Sequence, residues 1–125
     1  MLDKIEMKKT ADMQTYDARM AHLEIRMGEL QRECKRRNIP IMVLFEGFEA
    51  SGKGTMINRM IRPLDPRGFR VYTMEKTGEE DRMHPFFWRY AVKTPAKGRM
   101  HIFDKSWYQG LISGEVTAAE VRQFE

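Results

Sequence analysis

The residues of this chain best suited to chemistry lie together in Gly47-Phe48-Glu49-Ala50-Ser51-Gly52-Lys53-Gly54-Thr55. Glycines at this spacing let the backbone curl so that successive N–H groups face inward and cradle phosphate oxygens. A helix starting at the end of the loop adds the positive end of its dipole. Lys53 then sets a full positive charge beside phosphates in transit. Gly47, Ser51, Gly52, Lys53, Gly54 and Thr55 are therefore the expected phosphate-binding residues. Gly54 stands where a serine or threonine commonly binds Mg²⁺, and Thr55 follows one position later.

Phosphoryl transfer also requires a cation bridging phosphate oxygens, and Mg²⁺ favours one or two carboxylates with several waters retained. Asp104 closes the apolar run Met100-His101-Ile102-Phe103, which makes it the natural metal carboxylate; Glu49, inside the loop, is the second candidate. Guanidinium groups grip phosphate in a forked geometry. Among Arg67, Arg70, Arg82, Arg89, Lys93, Lys97 and Arg99, we single out Arg67 and Arg82. The cluster Phe86, Phe87, Trp88 and Tyr90 reads as a packed hinge rather than a base-stacking platform. His84 and His101 have no second histidine at ligand spacing, which argues against zinc.

Elements on either side must hold these groups in place. Ile41-Met42-Val43-Leu44-Phe45 is too short for a helix and reads as a strand buried on both faces, as parallel sheets require. Thr55 to Ile61 then reads as a helix ended by Pro63, and Phe69 to Met74 as a second strand, giving a βαβ unit. Glu79 to Val92 carries Met83, Phe86, Phe87 and Tyr90 at helical spacing, with Pro85 near its first turn. Met100 to Phe103 is a third strand, and Thr117-Ala118-Ala119-Glu120 has the spacing of a capping box that opens another helix. Before all of these, residues 12–37 form an amphipathic helix whose seam is Met13, Tyr16, Met20, Leu23, Met27, Leu30 and Cys34. Asn38 and Pro40 end it. That seam reads as packing on the chain's own domain, with pairing between subunits as the alternative. Residues 1–11 carry no pattern.

The 125 residues suffice for one small domain, and 22 basic against 18 acidic side chains leave a charge of +4. The surplus is local: residues 67–99 hold eight basic and four acidic groups. An anionic ligand suits that distribution, whereas DNA or RNA binding calls for a denser basic stripe. Cys34 is the only cysteine, so no internal disulfide can form, in keeping with a cytoplasmic protein. No apolar run approaches membrane-spanning length. Three parallel strands would leave two open sheet edges. The expected organisation is therefore a helical extension over 1–37 and the front part of an α/β domain over 38–125, completed by further sequence or a partner.

Four stretches, taken in order, resemble the polyphosphate kinase 2 family. They are Phe45-Glu46-Gly47-Phe48-Glu49-Ala50-Ser51-Gly52-Lys53-Gly54, Leu64-Asp65-Pro66-Arg67-Gly68-Phe69-Arg70-Val71, His84-Pro85-Phe86-Phe87-Trp88-Arg89 and Ile102-Phe103-Asp104-Lys105-Ser106-Trp107-Tyr108. The resemblance implies a P-loop kinase-like three-layer α/β fold with a parallel sheet and a lid at about residues 76–99. It implies Mg²⁺-dependent transfer of phosphate between inorganic polyphosphate and a nucleoside mono- or diphosphate, in a homo-oligomer or with the rest of the domain packed alongside. On this resemblance Lys53 contacts the transferring phosphates, Glu49 and Asp104 stand at the two family aspartates, Arg67 sits by the acceptor nucleotide, and Arg82 and Arg89 belong to the lid. Glu49 and Lys105 replace the family's aspartate and arginine, and Gln109 to Glu115 departs from the family's continuation. These differences define a second reading, an inactive domain with a structural or ligand-binding role; a third is another ATP-dependent P-loop kinase.

Overall fold

The computed structural model describes residues 12–74, 78–114 and 117. The opening eleven residues and all of the Thr117–Glu120 capping box except Thr117 lie outside the described residues. In chain order the elements are α1 (Met13–Arg36), β1 (Ile41–Phe45), α2 (Lys53–Ile61), a 3₁₀ turn at Pro66–Gly68, β2 (Phe69–Thr73), α3 (Glu79–Arg82), α4 (Trp88–Ala91), β3 (Met100–Asp104) and α5 (Trp107–Ser113).

The three strands form one parallel sheet in the order β1-β3-β2. The expected βαβ unit is present in split form, because β2 runs parallel to β1 with β3 inserted between them. The chain leaves β1 toward α2 and β3 toward α5, which pack on opposite faces of the sheet, and a crevice opens at the C-terminal ends of these two strands. Ile102 and Phe103 are both 0% exposed and, being consecutive in a strand, face opposite sides of the sheet. Ile102 packs with Ile57, Leu64 and Met100 on the side covered by α2 and part of α1. Phe103 packs with Met74 and Tyr90, flanked by Phe86 and Trp107, on the other. Each of these burials contributes about 1.5–3 kcal/mol, and together they clamp the central strand between two helical layers.

Asp12 caps α1 by accepting from the Thr15 N–H, and Asn38 ends it in the left-handed region at φ 57. The predicted seam makes only part of the contact: Met13, Tyr16, Leu23 and Leu30 are exposed, Met20, Met27 and Cys34 are half-buried, Arg59 of α2 lies over the Tyr16 ring, and of the seven Met27 joins the core around Ile102. Helix α1 also docks through Gly28 and Gln31, its buried residues. Gln31 Nε2 donates to the Asp65 carbonyl at 3.1 Å, and the Asp65 N–H donates to Gln31 Oε1 at 2.8 Å. The turn there closes so tightly that a Cβ on Gly68 would fall 2.6 Å from Gln31 Nε2.

The helix expected over Glu79–Val92 is two short ones, α3 and α4, with a break at Pro85. Proline denies an N–H to the ladder and disfavours helical angles at His84 before it. Phe86 and Tyr90 are packed against Phe103, while Trp88 stacks on His84 at 3.9 Å. Among the described residues no helix is long and apolar enough to cross a membrane.

Candidate functional site

The loop from Gly47 to Gly52 joins β1 to α2 at the crevice. Gly52 caps α2 at φ 84 without a side-chain hydrogen bond, and Gly47 sits at φ 150, both unfavourable for a residue with a Cβ. Ala50 takes a similar left-handed angle, φ 60. The first backbone bond into the helix runs from the Met56 N–H to the Gly52 carbonyl at 3.0 Å. The N–H groups of Lys53, Gly54 and Thr55 therefore have no partner inside the helix, and the positive end of its dipole faces the same way. Lys53 Nζ lies over the loop, donating to the carbonyls of Gly47 at 2.8 Å and Phe48 at 2.7 Å, with Ser51 Oγ at 3.4 Å. An ammonium group and a row of amides with no partner among the described residues thus line one cleft.

A cleft of about 410 Å³ is lined by Glu49, Ala50, Ser51, Gly52, Lys53, Gly54, Thr55, Asp104 and Lys105. Asp104 reaches it because β1 and β3 pair in register, Phe45 opposite Asp104. Strand alternation also puts Asp104 on the same face as Ile102, the face covered by α2. Its Oδ1 is buried and makes no hydrogen bond among the described residues. A buried carboxylate oxygen left unpaired is costly, and a bound cation is one way to satisfy it. Two carboxylates beside a phosphate cradle would also repel the phosphates unless a cation stood between them. The donor set, Asp104 and Glu49 with room for water and phosphate oxygens, fits Mg²⁺. Among the described residues no group of three His, Cys, Asp or Glu side chains could hold a metal on protein ligands alone.

The basic residues divide between different places. Arg67 lies in the turn before β2, at the N-terminal end of the sheet, while the cleft lies at the C-terminal end. The five-residue strand β2 alone separates the two levels by roughly 16 Å at about 3.3 Å per residue. The acceptor role that the resemblance gives Arg67 is corrected on this ground, since a parallel strand carries the turn before it away from the loops after it. Arg67 pairs with Asp65 at 3.1 Å, and its side-chain hydrogen bond is the main cause that holds the Asp65 carboxyl below the usual range. With Arg70 and Arg99 it lines a separate hollow of about 200 Å³. Arg89 lies in α4, only 11% exposed at its side chain, and pairs with Asp81 of α3 at 3.6 Å. It joins the two short helices and is not among the residues lining the cleft. Arg82 is exposed at the end of α3, likewise outside the cleft lining.

Sequence reasoning overlooked three participants. Lys105 lines the cleft from a left-handed conformation at φ 69. Glu46 and Ser106 join the ends of β1 and β3: the Ser106 N–H donates to Glu46 Oε1 at 2.8 Å, and Ser106 Oγ donates to the same oxygen. A carboxylate between Phe45 and Gly47, directly after a buried strand, was the available signal.

The family model described as Polyphosphate kinase 2 (PPK2) matches residues 10–121. A polyphosphate:AMP phosphotransferase of Pseudomonas aeruginosa is 33% identical over 108 residues, covering 86% of this chain and 22% of that protein. A GDP-polyphosphate phosphotransferase of Mycolicibacterium smegmatis is 38% identical over 93 residues, covering 74% of this chain and 33% of that protein. The chain spans between about a fifth and two fifths of the length of the curated relatives it matches. A polyphosphate kinase 2 crystal structure from Pseudomonas aeruginosa PA01 superimposes with a TM-score of 0.83 at 31% identity, covering 98% of this chain and 28% of that one. That of polyphosphate kinase 2 from Arthrobacter aurescens TC1 gives 0.81 at 23% identity, covering 98% and 48%, and shares the fold.

Proposed function

We propose that this chain, which belongs to the polyphosphate kinase 2 family, supplies the phosphate-gripping part of an enzyme that moves phosphate between inorganic polyphosphate and a nucleoside mono- or diphosphate. The observation that carries the reading is the cleft in which Lys53, the unpaired N–H groups of α2, Glu49 and Asp104 come together. The names of the matched relatives, which include polyphosphate with AMP and with GDP, support this substrate class.

In this reading the backbone of Gly47 to Thr55 binds and orients the phosphate chain, and α2 contributes its dipole to the negative oxygens. Lys53 exchanges the carbonyls of Gly47 and Phe48 for phosphate oxygens and stabilises charge that spreads over them during transfer. Lys105 adds a second positive charge at the cleft wall. Asp104 and Glu49 would hold Mg²⁺, which neutralises charge on the donor and acceptor oxygens when bound. Arg82 is proposed to serve the lid from its exposed place in α3, and Arg89 to hold the lid helices together through Asp81.

The test is phosphotransfer by the intact protein, with AMP, ADP or GDP as acceptor, polyphosphate as donor and Mg²⁺ present. Turnover that falls to background in Lys53→Ala supports the reading. Equal rates in the two proteins, or turnover with ATP and a small metabolite alone, would refute it.

A further inference from the structure

We propose that Glu46 is a positioning residue, a latch that fixes the turn after β3 and so aims Asp104 and Lys105 into the cleft. The inference rests on the phosphotransferase reading for its kinetic test, but not for its structural one. Three consecutive residues carry the argument. Asp104 ends β3, Lys105 then takes the left-handed angle φ 69, and Ser106, 0% exposed, begins the approach to α5. A left-handed lysine costs about 1–2 kcal/mol relative to ordinary backbone, so something must hold the turn shut.

Two contacts with the end of β1 do so. The Lys105 N–H donates to the Phe45 carbonyl at 3.0 Å, which carries the sheet pairing one residue past Asp104. Glu46 Oε1 then accepts both the N–H and the Oγ–H of Ser106. Ser106 Oγ in turn accepts from the Tyr108 N–H at 3.3 Å, so one carboxylate oxygen anchors the first turn of α5. Glu46 itself directly precedes Gly47, where the phosphate loop begins. The same side chain therefore ties the first residue of the cradle to the segment bearing Asp104 and Lys105. Its other oxygen, Oε2, is buried with no hydrogen bond among the described residues.

Misplacing a reacting or charge-bearing group by about 1 Å can cost about a hundredfold in rate. The experiment compares Glu46→Ala, Glu46→Gln and Ser106→Ala with wild type in the intact protein, well below each Tm. Two quantities are read: hydrogen exchange of the Ser106 and Tyr108 amides, against Ile102 as an internal reference, and kcat and KM for polyphosphate. Glutamine keeps an acceptor oxygen for both Ser106 donors. We expect Glu46→Ala to lose about tenfold or more in Ser106 protection and about ten- to a hundredfold in kcat, with KM within about threefold. Glu46→Gln restores both to within about threefold, and Ser106→Ala lowers kcat with Ile102 protection unchanged.

The latch is overturned if Glu46→Ala loses protection yet keeps its kcat, if Glu46→Gln is as impaired as Glu46→Ala, or if Ile102 exchange rises in parallel. If wild type shows no turnover, the phosphotransferase reading fails alone. The exchange result then decides the latch: unchanged Ser106 protection in Glu46→Ala overturns it, and selective loss with glutamine rescue upholds it.

Discussion

Phe45 and Asp104 are register partners on adjacent parallel strands, so the strand that launches the phosphate loop and the strand that ends in a carboxylate stop at the same level. Everything chemical in this chain follows from that pairing. The loop must turn over the crevice to reach α2, and Asp104, on the α2 face, meets it there. Neither element would form the cleft alone.

Asp104→Asn is expected to raise stability while removing function. The mutation changes a half-buried carboxylate whose Oδ1 is buried with no hydrogen-bond partner among the described residues, worth about 1 kcal/mol. It also removes the carboxylate proposed to hold Mg²⁺, at an expected cost of about a hundredfold or more in kcat. Thermal unfolding and initial rates in parallel check both halves. A lower Tm together with retained turnover would contradict the assignment.

Arg67→Ala tests the placement of the basic residues. Because Arg67 is paired with Asp65 at the far end of the sheet, kcat and the nucleotide KM should change by no more than about threefold. A loss of tenfold or more would return Arg67 to the acceptor site and overturn the division drawn above.

Gln31→Ala is expected to loosen α1 from the sheet. It leaves the Asp65 N–H without its partner and takes one of two donors from the Asp65 carbonyl, which keeps the Gly68 N–H at 2.9 Å, at about 1–3 kcal/mol. Urea unfolding should shift by that amount, and exposed seam residues such as Leu23→Ala should shift far less. Equal effects at the two positions would show that the seam, not the glutamine, makes the contact.

Glu33 supplies a prediction in pH. Side-chain hydrogen bonds from Arg36, first, and from Arg37 lower its carboxyl from an ordinary 4.5 to about 2. The folded value lies below the unfolded one, so its contribution to stability is complete above about pH 4.5 and disappears as the pH falls through about 2. A carboxyl-resolved NMR titration should find Glu33 still ionised at about pH 3.5. A midpoint near 4.5 would mean that the arginines do not hold it.

What could be read from the residues was what local physics dictates. The apolar run Ile41–Phe45, the glycine spacing of the loop and the apolar approach to Asp104 each depend on near neighbours, and each reads directly. Strand order did not, because inserting β3 between β1 and β2 is decided by contacts far apart in sequence. Arg67 was misplaced for the same reason: its type suits phosphate, but only topology says at which end of the sheet it lies. The α1 seam misled differently. Met13, Tyr16, Leu23 and Leu30 have helical periodicity yet are exposed, and beside Met27 it is Gln31 and two glycines that make much of the contact, through polarity and close approach that a hydrophobic pattern does not record. The break at Pro85 was visible in the sequence, and the aromatic periodicity outweighed it wrongly.

The most direct test is a titration of the protein with tripolyphosphate and Mg²⁺, followed by amide shifts in ¹⁵N spectra. The amides of Gly52, Lys53, Gly54 and Thr55 should move first and together, and Lys53→Ala should weaken the response by about tenfold or more. Shifts confined to the hollow at Arg67, Arg70 and Arg99, with the loop amides still, would place phosphate at the wrong end of the sheet and end the account.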